Sequence, residues 1–327
     1  MNEVWMVILS GVVAGSCPVL FAALGETLSE KSGVINLSLD GCILLCALTA
    51  FVASYHTGSV MAGFAAAALT GSLVSLVLGL ISIYLGVSQV ALGFVLSLLC
   101  RDLAYFFGNS YSRVQGVEVA HWPVPWLSSI PVIGPSFFQH NLAVYLSIMC
   151  IVLLWFYSER TGAGLSMKAA GENPHASFAR GGRPRLVRLY HVVAGGALAG
   201  IAGASFSLFF KAGWGRPQGC EGTGWIALAL VIFGGWSFFR VALGCYLFSL
   251  LQIVGVFMQQ HFVDIPAQVF QVAPFPLMIF SLALIHVYGR VSQRVIMEPH
   301  GPFRFLSAFF TKVTHPAPAH LGKHFEP

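Results

Sequence analysis

The chain has 327 residues, of which 57% are hydrophobic and only 9% charged, with a net charge of +5. An average soluble domain carries about 25% charged residues. So sparse a set of charges cannot clothe a water-soluble surface, and no aromatic and basic groove accompanies the positive excess, which excludes a nucleic-acid footprint.

Apolar runs close to the roughly 20 residues needed to cross the hydrocarbon layer place helices near 4–24, 38–55, 60–84, 87–107, 141–157, 189–210, 225–239, 241–260 and 267–288. They are rich in Leu, Ala and Gly and lack the sustained alternation of a lipid-embedded barrel. The expected fold is therefore all-α, a polytopic membrane domain over residues 1–290 followed by a tail at 291–327. In the first run, Ala14-Gly15-Ser16-Cys17 is similar to a lipoprotein cleavage site. Met1-Asn2-Glu3 lacks the basic start of a signal peptide, so this run is read as a retained helix.

After the first helix, Glu26 and Glu30 lie one turn apart beside Lys31 and are expected to cap or brace the helix end. Asn36 and Asp40, four apart, share a helical face just after a cytoplasmic turn, with Gly33 and Gly41 loosening the helix. Polar groups are costly against lipid, so this pair is a candidate for a solute path; an interhelical clasp is the plain alternative. Cys42 and Cys46 also lie four apart, but without further ligands they read as helix packing and not as a metal site. Gln89 and Gln252 are further path candidates, or packing hydrogen-bond partners. Arg101 and Asp102 point about 100° apart and are expected to pair with different helices.

Residues 108–140, with Trp122, Pro123, Pro125, Trp126 and Pro131, read as an ordered loop at a membrane interface. The loop 158–188 is more informative. Asn173 is a suitable N-cap, Pro174 suits the first helical position and Gly181 a left-handed stop, which specifies a short displayed helix. Phe178 and Met167 offer apolar anchors to a partner, with Lys168 and Arg180 at the rim. Further on, the Gly-rich segment 225–239 and its counterpart 38–55 have the form of broken helices framing a midplane site. Trp225 and Trp236 would bracket the second and could stack a flat base; interfacial anchoring is the plain reading of each. The tail histidines His315, His320 and His324 lie beside Pro316 and Pro318 and read as part of a flexible tail.

With residues 25–37 placed in the cytoplasm, that side holds thirteen Lys and Arg residues and the other only Arg113, Lys211 and Arg216. This bias sets the N-terminus outside and the C-terminus inside.

Three blocks of sequence carry a family resemblance. Ala169-Ala170-Gly171-Glu172-Asn173-Pro174-His175-Ala176 resembles the coupling segment of permeases in the ribose, nucleoside and branched-chain amino acid group of ATP-binding-cassette (ABC) importers. The runs from Leu24 to Gly41 and from Gly224 to Trp236 are similar to blocks of its nucleoside-type branch. Ser38 and Asp40 stand where the family has Gly and Glu, an Asn expected near Ser97 is missing, and Ser237-Phe238-Phe239 follows Trp236 where the family places a Pro after one residue.

The resemblance implies a bacterial inner-membrane subunit that shares a pore with a second, homologous permease subunit and works with an ABC ATPase and an extracytoplasmic solute-binding lipoprotein. It makes Lys168, Gly171, Glu172, Asn173, Pro174 and Phe178 the elements that couple to the ATPase. It also implies a nucleoside or a related ribosyl or ribityl solute such as riboflavin, with simple sugars and branched-chain amino acids as alternatives. No cofactor is expected. No phosphate-binding loop is present, since the Gly322-Lys323 pair is followed by His324, so ATP is handled elsewhere. A secondary transporter is the rival class. An intramembrane enzyme is disfavoured because no His-Glu-x-x-His or Gly-x-Ser-x-Gly pattern occurs and His191 and His286 stand alone on apolar faces.

Overall fold

A computed structural model describes residues 2–112, 114–123, 125, 128, 133–261, 269, 276 and 317–326. Eleven α-helices run through them: α1 Asn2–Lys31, α2 Leu39–Thr57, α3 Val60–Tyr84, α4 Gln89–Gly108, α5 Ile133–Phe137, α6 Leu142–Arg160, α7 Gly162–Glu172, α8 Pro174–Ala179, α9 Pro184–Ser205, α10 Thr223–Phe233 and α11 Phe238–His261. Seven of them, α1–α4, α6, α9 and α11, are long and apolar enough to cross a membrane among the described residues. The fold is all-α and polytopic. The expected helix at 267–288, Trp126, Pro131, His286 and most of the tail lie outside the described residues.

The centre of the bundle is α9, and glycine explains why. Without a hydrophobic drive between helices in lipid, small residues let backbones approach and gain dispersion contacts. A Cβ on Gly195 would lie 2.5 Å from Gly25 O in α1, one on Gly200 2.2 Å from Ala67 O in α3, and one on Gly203 2.5 Å from Ile43 O in α2. One glycine-rich helix thus touches three neighbours backbone to backbone. By contrast α4 is peripheral, with Phe94, Val95, Leu98 and Leu99 exposed along it.

Three features differ from expectation. Helix α1 continues through Lys31 because Glu26, Thr27 and Glu30, although polar, are buried against other elements. Asn36 precedes α2, so it and Asp40 do not share a helix face. The expected segment 225–239 is an 11-residue helix, about 16 Å long and roughly half the hydrocarbon thickness.

Lys31, Lys168, Arg180, Arg185, Arg188 and Lys323 gather at one end of the bundle, where α7 packs against the last turn of α1 and 317–326 lies beside α8. This end is called the basic face below.

Candidate functional site

The site begins where α1 stops. Gly33 adopts φ 99, a left-handed conformation that costs glycine little. Its N–H bonds Glu30 O at 2.9 Å and the Val34 N–H bonds Ser29 O at 3.2 Å, which closes the helix. Gly33 therefore ends a helix and does not loosen one. The turn that follows is held from several sides. Glu26 Oε1 accepts from Asn36 N at 2.9 Å and Gln89 Oε1 accepts from Ile35 N at 2.9 Å. Asn36 Nδ2 donates to Ser75 Oγ at 3.2 Å, and its Oδ1 accepts from the Ser38 N–H and hydroxyl. Asn36 is 1% exposed, and its side chain fastens this turn to α3.

Asp40 stands in the first turn of α2. Its Oδ1 accepts from Gly224 N at 3.1 Å, the second residue of α10. Helix N-termini present unpaired N–H groups and favour negative charge, so the carboxylate caps α10 from another part of the chain. At the far end of α10, Trp236 Nε1 donates to Glu30 Oε2 at 2.5 Å, and Lys31 Nζ donates to Trp236 O at 3.1 Å. With residue 40 paired to 224 and residue 30 to 236, the stretch 30–40 runs antiparallel alongside α10. Gly41 is pressed onto α4, its N–H on Ser97 Oγ at 3.0 Å, and a Cβ there would lie 1.8 Å from Ser97 O. Gly41 is thus a tight contact and not a loosened joint.

Outside α10, the loop 211–222 is organised by Glu221. Its carboxylate accepts from Tyr105 Oη, from Gln218 N at 2.8 Å and from Gly219 N at 2.6 Å. Partial burial works against the charge, but these hydrogen bonds outweigh it and hold the carboxyl below the usual glutamate range. The Arg216 guanidinium lies over the Tyr105 ring at 4.5 Å. Arg101 and Asp102 pair with each other at 3.5 Å, largely exposed, instead of with separate helices.

The segment after α6 forms two helices, where the sequence signalled only the second. Thr161 Oγ1 caps α7 by accepting from Gly164 N at 3.0 Å. Asn173 Oδ1 caps α8 by accepting from Ala176 N at 2.9 Å, with Pro174 at the first position and Gly181 at φ 82 beyond the end. Gly171 meets Lys31 O so closely that a Cβ would lie 2.2 Å away. Lys168 Nζ pairs with Glu159 at 2.7 Å. Phe178 is 49% exposed, whereas Met167 is fully buried and so is not an anchor for a partner. The helical period turns residue 167 inward with 164 and 171.

A cavity of about 730 Å³ on the basic face joins the two parts, lined by Lys31, Glu159, Lys168, Glu172, Trp236 and Pro318 among others. The fold thus gathers Asn36, Asp40 and Gln89 around the 32–41 turn and brings Trp236 near Lys168 and Glu172. It does not bring in Trp225, at the opposite end of α10, or Gln252, exposed on α11.

Two features had no signal in the sequence. Arg188 is 2% exposed and donates to Ala170 O from Nε and Nη2 at 3.3 and 3.0 Å, at the carbonyl end of α7, where a cation is favoured. Residues 317–326 dock across the basic face and are not a loose tail.

A family model described as branched-chain amino acid transport system / permease component matches residues 8–282. The relative "Putative glucose ABC transporter permease protein TsgC13" of Haloferax volcanii is 35% identical over 248 residues, 75% of each chain. The nucleoside ABC transporter permease protein NupC of Lactococcus lactis subsp. cremoris is 29% identical over 85% of this chain and 92% of its own. The guanosine ABC transporter permease protein NupQ of Bacillus subtilis is 28% identical over 86% of this chain and 92% of its own. No solved structure matches the chain significantly.

Proposed function

The chain belongs to the branched-chain amino acid transport system / permease component family, and we propose that it is the translocation-path subunit of an ABC importer that takes up a nucleoside across the bacterial inner membrane. It is an ABC permease of the nucleoside and simple-sugar branch. Nucleosides are favoured because the relatives of fullest coverage carry nucleoside and guanosine in their names. Simple sugars are the second reading, on the strength of the 35% identical glucose-type relative. Riboflavin has no counterpart among those relatives and is kept as one arm of the uptake experiment.

The observation that carries the reading is the junction of α7–α8 with the 30–40 stretch and α10. A capped helix with half-exposed Phe178 stands at the basic face, and the helix before it touches Lys31, next to the residue that holds Trp236. We take the basic face as cytoplasmic, from the positive-inside bias, with the N-terminus outside and the C-terminus inside. ATPase closure would push α8 through Phe178. Rigid α7 would pass this push to α1, and the clamped 30–40 stretch would shift α10 and α2 together, switching access to a path beside Asp40.

The exposed Arg101–Asp102 pair on a spanning helix supports a second, homologous permease subunit in the assembly. Charges facing lipid are costly, so that face of α4 meets a partner subunit or the aqueous path. An extracytoplasmic solute-binding lipoprotein would deliver solute to the side carrying loop 211–222.

The test is uptake of labelled nucleosides, glucose, ribose and riboflavin by vesicles holding the chain with its ATPase, second permease and binding protein, with and without ATP. ATP-dependent nucleoside uptake is expected. Uptake by the chain alone down an ion gradient would refute the assignment.

A further inference from the structure

The segment 317–326 touches α7, α8 and the turn that ends α1, three elements that the proposed mechanism uses. Its Ala319 N–H donates to Glu172 Oε2 at 3.2 Å and its His320 N–H to Gly171 O at 3.0 Å, which ties it to the end of α7. Two residues on, Gly322 N donates to Gly33 O at 3.1 Å, so the same segment ties to the turn that closes α1. The His324 ring covers Gly86, between α3 and α4; a Cβ there would lie 3.3 Å from it. Arg188 Nη1 donates to Lys323 O at 3.0 Å and Arg185 Nη2 to Phe325 O at 3.3 Å, which binds it to α9. Phe325 is 3% exposed and packs its ring 4.8 Å from His175 and 6.0 Å from Phe178 on α8.

These contacts differ in kind from those of a tail resting on a surface. Backbone groups pair with backbone groups of the protein body, and an aromatic side chain is buried under the exposed helix. A segment fastened at α7, α8, α9 and two turns must move with them or resist their relative movement. α8 itself has six residues and few attachments of its own, so a push on Phe178 needs a stiff backing to be transmitted.

We propose that residues 317–326 form a strap that backs α8 and carries its displacement to the turns at Gly33 and Gly86, a coupling element supplied by the far end of the chain. The proposal rests on the reading of α8 as the ATPase-facing helix. The strap links in parallel with α7: α7 reaches α1 through Gly171, and the strap reaches both the α1–α2 and α3–α4 turns. Phe325 is the positioning residue for Phe178.

The experiment compares the wild-type chain, a chain ending at residue 316, and Phe325→Ala, each in the full assembly in vesicles. It measures the ATPase retained on the membrane, ATP hydrolysed and solute taken up. The expected result is retained ATPase and continued hydrolysis, with solute moved per ATP reduced about tenfold in the shortened chain and about threefold in Phe325→Ala. Unchanged solute per ATP in both variants overturns the strap, and so does an increase, which would make the segment a brake. If the shortened chain fails to enter the membrane, Phe325→Ala decides alone. If the wild-type assembly shows no ATP-dependent uptake, the reading of α8 has failed before the strap is tested.

Discussion

Asp40 accepts a hydrogen bond from the backbone N–H of Gly224 at 3.1 Å, joining the first turns of two helices 184 residues apart in sequence. A Cβ on Gly224 would lie 2.4 Å from Asp40 Cα, so the two backbones touch. Two family blocks therefore meet at one point. Replacing Asp40 with Ala removes an acceptor from partly buried N–H groups and should cost about 1–3 kcal/mol. Asn, which keeps an acceptor oxygen, should cost less. The midpoint of thermal unfolding in detergent, read beside uptake, checks this; equal loss in both variants would show that charge and not the hydrogen bond matters.

Changing Glu172 or Pro174 should abolish ATP-driven uptake while leaving membrane insertion intact. Pro174 is pre-set for the first turn of α8, and Glu172 holds both the cavity wall and Ala319. Uptake and membrane content measured on the same vesicles decide the matter, and normal uptake in both variants rejects a role for this junction.

Arg188→Met should loosen the basic face without unfolding the bundle. Hydrogen bonds from a charged donor contribute about 1.5–3 kcal/mol, and this guanidinium serves Ala170 O and Lys323 O together. Amide hydrogen exchange at His320 and Gly322 should quicken about tenfold or more, while α9 stays protected. Uniform deprotection of α9 would instead mean that Arg188 holds up the whole bundle.

Gly200→Leu should prevent the folded chain from accumulating, because a Cβ at that position already lies 2.2 Å from Ala67 O and further carbons only deepen the clash. Gly162→Ala is the control, since nothing lies within 4 Å of its Cβ. Detergent-extracted, monodisperse protein is the measurement, and parity between the two variants would count against backbone contact as the basis of the α9 packing.

Glu221 gives a pH dependence whose sign can be worked out. Its carboxyl sits below the ordinary value of 4.5 in the fold, so the folded loop favours the charged form. The resulting stabilisation is present above that ordinary value and is lost as pH falls through the lowered one. Loop 211–222 should therefore open in acid, below pH 4.5, and buried Trp214 beside Tyr105 should shift its emission to the red. Glu221→Gln should abolish that transition, and an unaltered acid transition in this variant would assign it to another group.

Neighbouring residues encode hydropathy for the spans, the Asn173 and Pro174 punctuation for α8, and the blocks that mark the family. Each is a property of a short run of consecutive residues, and among the described residues seven of the expected spans are present as long apolar helices, while 225–239 is shorter than a span. Packing between distant segments is what turns Met167 inward and Phe178 outward, has Asn36 fasten a turn to α3, joins Trp236 to Glu30, and lays residues 317–326 across α7 and α8. These depend on partners as much as 206 residues away. A polar side chain in a run of apolar ones announces only that it needs a partner, because the cost of burial is local while the group that relieves it is chosen by packing.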